Sequence, residues 1–332
     1  MKTVGPIKIK SPEIEGDISV PLATFETPLW PSTARGAKIS RLTDGIYTVI
    51  LSDCMTRSIL LEAPSAQYAT EVVNTMETHR NKLTEIVAKN SNYAHLENWH
   101  CQVLGNLLYI RVAITTGDAS GHNMITQAAD AVTTMLLQQY KKLKYISISG
   151  NYCTDKKVSA VNGILGRGKY VVAEILVPKQ ICEIHLKTTP TKLVDLHIKK
   201  NLLGTLLAGG VRTANAHFAN ILLAIYLATG QDAANIVEGS QGIVHAEIRG
   251  EDLYFSVTLP NIIVGTIGNG KQLDFAKENL NLLGCDKDLT PGKNARRLAV
   301  IVTAAVLCGE ISLLAALCNP GELMRSHLDM ER

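Results

Sequence analysis

The feature that most constrains this chain is LAVIVTAAVLCGEISLLAALC, residues 298–318. A run this long and apolar belongs either in a bilayer or inside a large core. Its first apolar stretch ends at Cys308, and Gly309 and Glu310 follow at its middle. A membrane span needs about 20 mostly apolar residues without a central charge, so the run is read as a buried helix. Its helical pattern starts at Pro291, in PGKNARRLAVIVTAAVL. A second segment, NAHFANILLAIYLATG at 215–230, is apolar nearly all round and reads as a central buried helix. Helices of this kind need a large core, and 332 residues with 46% hydrophobic and 19% charged content provide one.

Several classes are excluded. The net charge is +3, and the most basic short run, YKKLKY at 140–145, is not part of a stripe. Nucleic acid is therefore not an expected partner. The seven cysteines are odd in number and form no CxxC pair. That speaks against a disulfide framework or a zinc site and fits a reducing cytoplasm. The N-terminal MKTVGPIKIK lacks the apolar core of a signal peptide.

Residues 18–51 mix short extended runs with turn residues, among them Pro21, Pro28 and Pro31. A helix is expected over 64–90, with Ser65 as its cap and Ala69, Val72, Val73, Met76 and Leu83 at helical spacing. Strands are expected at 106–114, 145–149 and 170–177, and a helix at about 122–141. Residues 59–149 thus read helix, strand, helix, strand, a compact α+β unit inside a larger frame. A hairpin is expected where IVHAEI and LYFSVTL flank RGED.

The chemistry-bearing residues fall in separate stretches. In SGNYCTDKKVSAVNGILGRGK, residues 149–169, Lys156 lies between Asp155 and Lys157. That trio is either a solvated basic turn or a lysine fixed beside a carboxylate to stabilise an oxyanion. Cys153 is either a nucleophile or a small buried hydrophobe. His217 and Asn220 are three apart on the central helix and share a face, and Asp232 lies just past that helix. GDASGHN and GTIGNGK are glycine turns that can offer backbone N–H groups to phosphates, and Asp118 and Asn123 either bind a ligand or cap the next helix. Glu26, among prolines, is a proton donor if buried and otherwise a loop residue facing water. His327 is either an idle terminal histidine or a functional one.

Together, SGNYCTDKK, GRGK, KNLLGTLLAGG, NAHFANI, IYLATGQDAAN, EDLYFSVTLP, GTIG and the late SH resemble the 3-hydroxy-3-methylglutaryl-coenzyme A (HMG-CoA) reductase family, class I in particular, from about residue 17 onward. The resemblance implies an α+β fold. A large substrate- and coenzyme A-binding domain, residues 1–58 and 150–332, surrounds the central helix, with a small ferredoxin-like dinucleotide-binding domain inserted at 59–149. It implies reduction of HMG-CoA to mevalonate and free coenzyme A by two hydrides. The expected cofactor is NADPH, with NADH as the alternative. It also implies a homodimer or homotetramer with active sites shared between subunits.

By the same resemblance, Glu26, Lys156, Asp232 and His327 are catalytic, and Arg57, Ser149, Asp155, Lys157, Lys200, His217 and Asn220 bind the hydroxymethylglutaryl part. Ser32, Arg35 and Lys187 match coenzyme A contacts, and Ser91, Asn92, Asp118, Gly121, Asn123, Gly265 and Gly268 fall at the cofactor. No metal is implied. An ENVIG-type segment is expected ahead of VGPIKIK, and the sequence begins at Met1 without it. DASGHN stands where the family has DAMGMN, and GTIGNGK where it has GTIGGGT. Asn92 replaces an arginine for the cofactor 2′-phosphate, with Lys89 or His122 as substitutes. The alternatives are an NAD-dependent, mevalonate-oxidising form and a non-catalytic acyl-CoA-binding relative.

Overall fold

The computed structural model describes residues 1–89 and 91–330, the side chains of Ser326, His327, Asp329 and Met330 excepted. The chain begins with β1 (Lys2–Lys10), β2 (Glu15–Leu22), α1 (Leu29–Leu42) and β3 (Ile46–Glu62). Next come α2 (Ala66–Met76), α3 (Arg80–Ala88), β4 (Leu96–Leu104), β5 (Leu107–Ile114), α4 (His122–Gln139) and β6 (Lys144–Ser147). Then α5 (Ala160–Leu165) leads to β7 (Gly168–Val177), followed by α6 (Lys179–Ile181), α7 (Pro190–Leu196), a π-helical stretch (His197–Gly204) and α8 (Thr205–Leu207). The chain ends with α9 (Phe218–Ala228), α10 (Ile236–Gly239), β8 (Ile243–Arg249), β9 (Asp252–Ile262), α11 (Asp274–Leu282), α12 (Lys293–Leu317) and α13 (Glu322–Met330).

The long apolar run is α12. Every residue from Leu298 to Leu307 is buried, and 94% of its most apolar window lies inside the protein. By length and composition alone it could cross a membrane; its burial makes it a core helix. Around it, α9 and strands β1, β2, β7, β8 and β9 close one hydrophobic cluster. A second cluster joins α2, α3 and α4 to the far half of β3 and to β5.

The 17-residue β3 connects the clusters. Its first half pairs antiparallel with β7, from Tyr47↔Glu174 to Cys54↔Gly168. Its second half pairs antiparallel with β5, from Met55↔Ile114 to Glu62↔Leu107, and with β6. The 58/59 position taken from the sequence as a boundary lies within this strand.

Among the elements not foreseen, two are instructive. The edge strand β4 pairs only with β5 and carries polar side chains on both faces, so it lacks a clean alternation. Helix α1 begins amid prolines that suggested turns. Pro28 is its N-cap and Pro31 lies in its first turn, where a missing N–H breaks no helical bond.

Helix α1 packs directly on α12. A Cβ added at Gly36 would lie 2.1 Å from the Cys308 carbonyl oxygen, a contact with backbone that cannot swing aside. Gly36→Ala is expected to cost about 3 kcal/mol or more by overpacking, read as a lower urea midpoint than wild type.

Candidate active site

The lysine loop holds a strained backbone. Asn151, Thr154 and Lys156 have φ of 60°, 45° and 57°, the left-handed region that non-glycine residues rarely enter. A buried polar cluster holds it there. The Arg167 guanidinium, fully buried, donates to Glu238 Oε1 at 2.8 Å and faces Asp155 at 3.1 Å. Glu238 Oε1 also accepts the Lys156 backbone N–H at 3.1 Å and the Asn235 side-chain amide at 3.0 Å. Burial pushes the Glu238 carboxyl up, although these donors favour its ionised form. Arg57, on β3, approaches Asp155 at 3.6 Å.

The loop presents Lys156 Nζ to Asp232 Oδ2 at 2.8 Å. That hydrogen bond holds the lysine above its ordinary value, against the opposing effect of burial. For Asp232 burial acts upward, but the Lys156 ammonium and the Ala234 N–H outweigh it and bring the carboxyl below the usual range. The pair is therefore charged at neutral pH.

Lys156 and Asp232 line a cleft of about 720 Å³ with Arg57, Asp155 and the two glycine turns, 119–124 and 267–271. Those turns are joined back to back. Ala119 bridges Ile267, and the Thr266 N–H donates to the Asp118 carbonyl at 2.8 Å. Gly265 is buried at the join, where a Cβ would lie 2.4 Å from the Ser120 nitrogen. Gly121, Asn123 and Gly268 line the cleft itself.

Asp118 takes the capping role, but for a distant helix. Its two carboxylate oxygens accept the Gly292 and Ala295 N–H groups, each at 2.9 Å, at the start of α12. The next helix, α4, has no side-chain cap. His122 is not a cation for a phosphate: burial, aided by the Arg167 charge, brings it down to about 4, so it is neutral near pH 7.

Another cleft, of about 660 Å³, lies at the other end of α9 and is lined by Glu26, Ser32, Arg35, Lys187, His217 and Asn220. Asn220 Nδ2 donates to Glu26 Oε2 at 2.7 Å. His217 Nε2 lies 2.9 Å from the Gly309 carbonyl. A carbonyl only accepts, so Nε2 carries the hydrogen. Burial brings this ring down to about 4, which leaves Nδ1 as an acceptor. Arg35 is held by the Ser312 hydroxyl and carbonyl, at 2.9 and 2.6 Å, and by Glu322 of α13 at 2.8 Å. Ser32 also bonds Ser312, at 3.1 Å.

Other expected site residues lie outside both clefts. Ser149 and Lys157 are exposed, with Lys157 Nζ donating to the Asp155 carbonyl at 3.0 Å. Lys200 is half-buried on the π-helical stretch. Ser91 and Asn92 form the turn before β4. His327 lies on α13, but its side chain is outside the described residues; α13 supplies Glu322, Leu323 and Arg325 to the Glu26 cleft.

Sequence reasoning missed Arg167, Glu238 and Glu310 as site residues. Their signal was a charge embedded among apolar or small residues, in ILGRGK, NIVEGS and LCGEIS. Glu310 is fully buried on α12 and accepts the Ala216 and His217 backbone N–H groups, anchoring the start of α9. A carboxylate at that end also complements the helix dipole.

A charged lysine–aspartate pair beside paired glycine turns, in an α+β chain with two cores, is an arrangement able to stabilise a developing oxyanion. The hydroxymethylglutaryl-coenzyme A reductase family model matches residues 2–332. The chain is 44% identical over 325 residues to 3-hydroxy-3-methylglutaryl-coenzyme A reductase of Aeropyrum pernix, covering 97% of this chain and 77% of that protein. It is 43% identical over 330 residues to the Pyrococcus abyssi enzyme of the same name, covering 98% and 80%. The fold also matches the NADPH-bound class II reductase of Streptococcus pneumoniae, with a TM-score of 0.76 at 19% identity, covering 96% of this chain and 84% of that one. The chain belongs to the HMG-CoA reductase family and is an oxidoreductase.

Glu310 gives a pH test. Burial raises its carboxyl from 4.5 to about 7, against the two N–H donors and the Lys200 charge. The folded state therefore binds this proton more tightly than the unfolded chain does. The stabilisation is fully present below about pH 4.5 and is lost as pH rises through about 7, a change of about 3 kcal/mol. Glu310→Gln is expected to be less stable than wild type at pH 5 because one N–H loses its acceptor. The gap should narrow by pH 8, as read from thermal midpoints across that range.

Proposed function

We propose that this chain reduces HMG-CoA to mevalonate and free coenzyme A with NADPH, and that it acts as a homodimer or homotetramer whose active sites are shared between copies. The observation that carries the reading is the Lys156–Asp232 pair, 2.8 Å apart, in a cleft walled by two glycine turns.

The residues fit a dinucleotide. Gly121 and Gly268 line the cleft with φ of 87° and 96°, and Gly268 has open space where a Cβ would project. Among the described residues Arg57 Nε and His122 Nε2 are buried without a hydrogen-bond partner, as suits a place that a polar ligand completes. The turns 118–123 and 265–271 would hold the cofactor, which supplies two hydrides in succession. Lys156 stabilises the negative charge that develops on the thioester oxygen and then on the aldehyde oxygen. Asp232 keeps that lysine charged and oriented. Glu26, held by Asn220, is the proton source for the alcohol. His327, two residues past the cleft-lining Arg325, is assigned to protonate the departing thiolate.

Sharing is supported by the layout of α9. Its 11 residues span about 16 Å. Glu26 with Asn220 lies at its start and Lys156 with Asp232 beyond its end, so one chain keeps the two groups apart. A second copy can bring the Glu26 end of one chain to the Lys156 end of another. Ile198, Leu202, Leu203, Leu206, Leu207 and Val211 form an exposed apolar stretch suited to such a contact. Lys200, on this stretch, would then reach the partner's site.

NADPH is preferred because the S. pneumoniae relative binds it. The neutral His122 and an uncharged Asn92 keep NADH as the second reading. Comparing kcat/KM for the two cofactors decides between them, and no turnover with either would refute the reductase reading.

Sharing has its own test. Glu26→Gln and Lys156→Ala homo-oligomers should each lose nearly all activity. Mixed in equal amounts with free exchange into dimers, they should recover about one quarter of wild-type turnover, because each hetero-pair rebuilds one intact site. A mixture that stays inactive, with exchange confirmed by mass spectrometry, would show that the site belongs to one chain.

A further inference from the structure

Among the described residues, the Lys156 cleft carries one cation that no carboxylate side chain answers. Arg57, Lys156 and Lys271 line it. Arg57 faces Asp155 at 3.6 Å and Lys156 faces Asp232 at 2.8 Å. Among the described residues Lys271 has no carboxylate at ion-pair distance. Its ammonium donates to the Asn269 carbonyl at 3.4 Å, a long contact. The residue is nonetheless only 6% exposed. Burial lowers its pKa, and the Asp232 charge offsets part of that effect. A nearly buried ammonium with a single weak contact destabilises the free protein unless an anion joins it.

The position of Lys271 narrows the anion. It closes the turn GTIGNGK, whose Gly268 and Gly270 have φ of 96° and 87°. The turn is held against the segment leading to Asp232: a Cβ on Gly270 would lie 2.5 Å from the Gly230 oxygen. The ammonium therefore stands at the glycine turn, on the cleft it shares with Lys156 and Asp232, close enough for the Asp232 charge to act on it yet paired with neither. In a dinucleotide whose nicotinamide reaches Lys156, the group at such a distance is the pyrophosphate. The 2′-phosphate of NADPH belongs to the more distant adenosine ribose.

We propose that Lys271 binds the pyrophosphate of the dinucleotide cofactor. The assignment rests on the reductase reading above. It makes the departure from GTIGGGT a gain of binding energy for both nicotinamide cofactors. The lysine is a point charge rather than a planar fork, which suits a phosphate approached from one side.

The test is equilibrium binding without turnover. The intact oligomer is titrated with NADPH and with NADH, followed by nicotinamide fluorescence, and with HMG-CoA alone by calorimetry. Lys271→Met is expected to weaken both dinucleotides by a similar factor, about 10- to 100-fold. HMG-CoA binding should stay within about twofold. Free Lys271→Met should melt at or above the wild-type temperature, because an unpaired buried charge is gone. Lys271→Gln, which stays polar, gives the same reading if the methionine variant folds poorly.

A loss confined to NADPH would overturn the assignment in favour of the 2′-phosphate. A loss confined to HMG-CoA would overturn it in favour of the substrate carboxylate, and unchanged affinity for all three would overturn it outright. Wild-type protein that binds neither dinucleotide would instead refute the reductase reading itself, and this assignment with it.

Discussion

The ion pair between Arg167 and Glu238, 2.8 Å long with neither side chain exposed, supports the whole lysine end of the structure. Such a pair adds little net stability, since two charges have left water to form it. Its effect is to fix geometry. One Glu238 oxygen receives the guanidinium and the Lys156 backbone N–H, while the same guanidinium faces Asp155. The backbone around Lys156 is thereby held in a conformation that the loop would not choose alone. Removing either partner would leave a buried charge uncompensated, at a cost of about 3–5 kcal/mol. The Lys156 ammonium is thus held in place in the free protein, the kind of preorganisation that the proposed oxyanion role requires.

The start of α9 uses a similar device with neutral donors. Glu310 receives two backbone N–H groups there, and the adjacent Gly309 carbonyl sets which nitrogen of His217 carries hydrogen. Ser312, one turn further along α12, holds Arg35 and Ser32. The apolar core helix therefore bears polar groups on one short stretch, and those groups organise the Glu26 cleft. The far end of α12 is tied to the other cleft, because Asp118 caps it from the glycine turn.

Much of this was legible in the sequence, for reasons that differ by residue. The burial of 298–307 follows from composition alone, and Glu310 was enough to argue against a membrane span. The motifs put Glu26, Lys156, Asp232 and Asn220 in one site; within a single chain the structure pairs Lys156 with Asp232 and Glu26 with Asn220 in separate clefts. Their spacing could not show that the two sets sit at opposite ends of one helix, because chain separation carries no direction. Asp118 was read as a ligand or a local cap; its actual partners are more than 170 residues away. Helix α1 was hidden because prolines at a helix start look the same in sequence as prolines in a turn. Arg167 and Glu238 escaped because a buried charge is recognisable only once its partner is known.

Strand β3 has a consequence for accuracy. The buried apolar side chains are Ile46 in its first half and Met55, Ile59 and Leu61 in its second, where Thr56 and Ser58 are buried on the other face. The parity changes across an irregularity in the pairing with β7 between Ile50 and Ser52. A one-residue slip would turn apolar side chains out of both cores at once, so each core checks the register of the other. Arg57 lies in the second half, between the buried Met55 and Ile59 and opposite Val112. The strand behaves as a ruler clamped at both ends, with the cleft-lining Arg57 as one of its graduations.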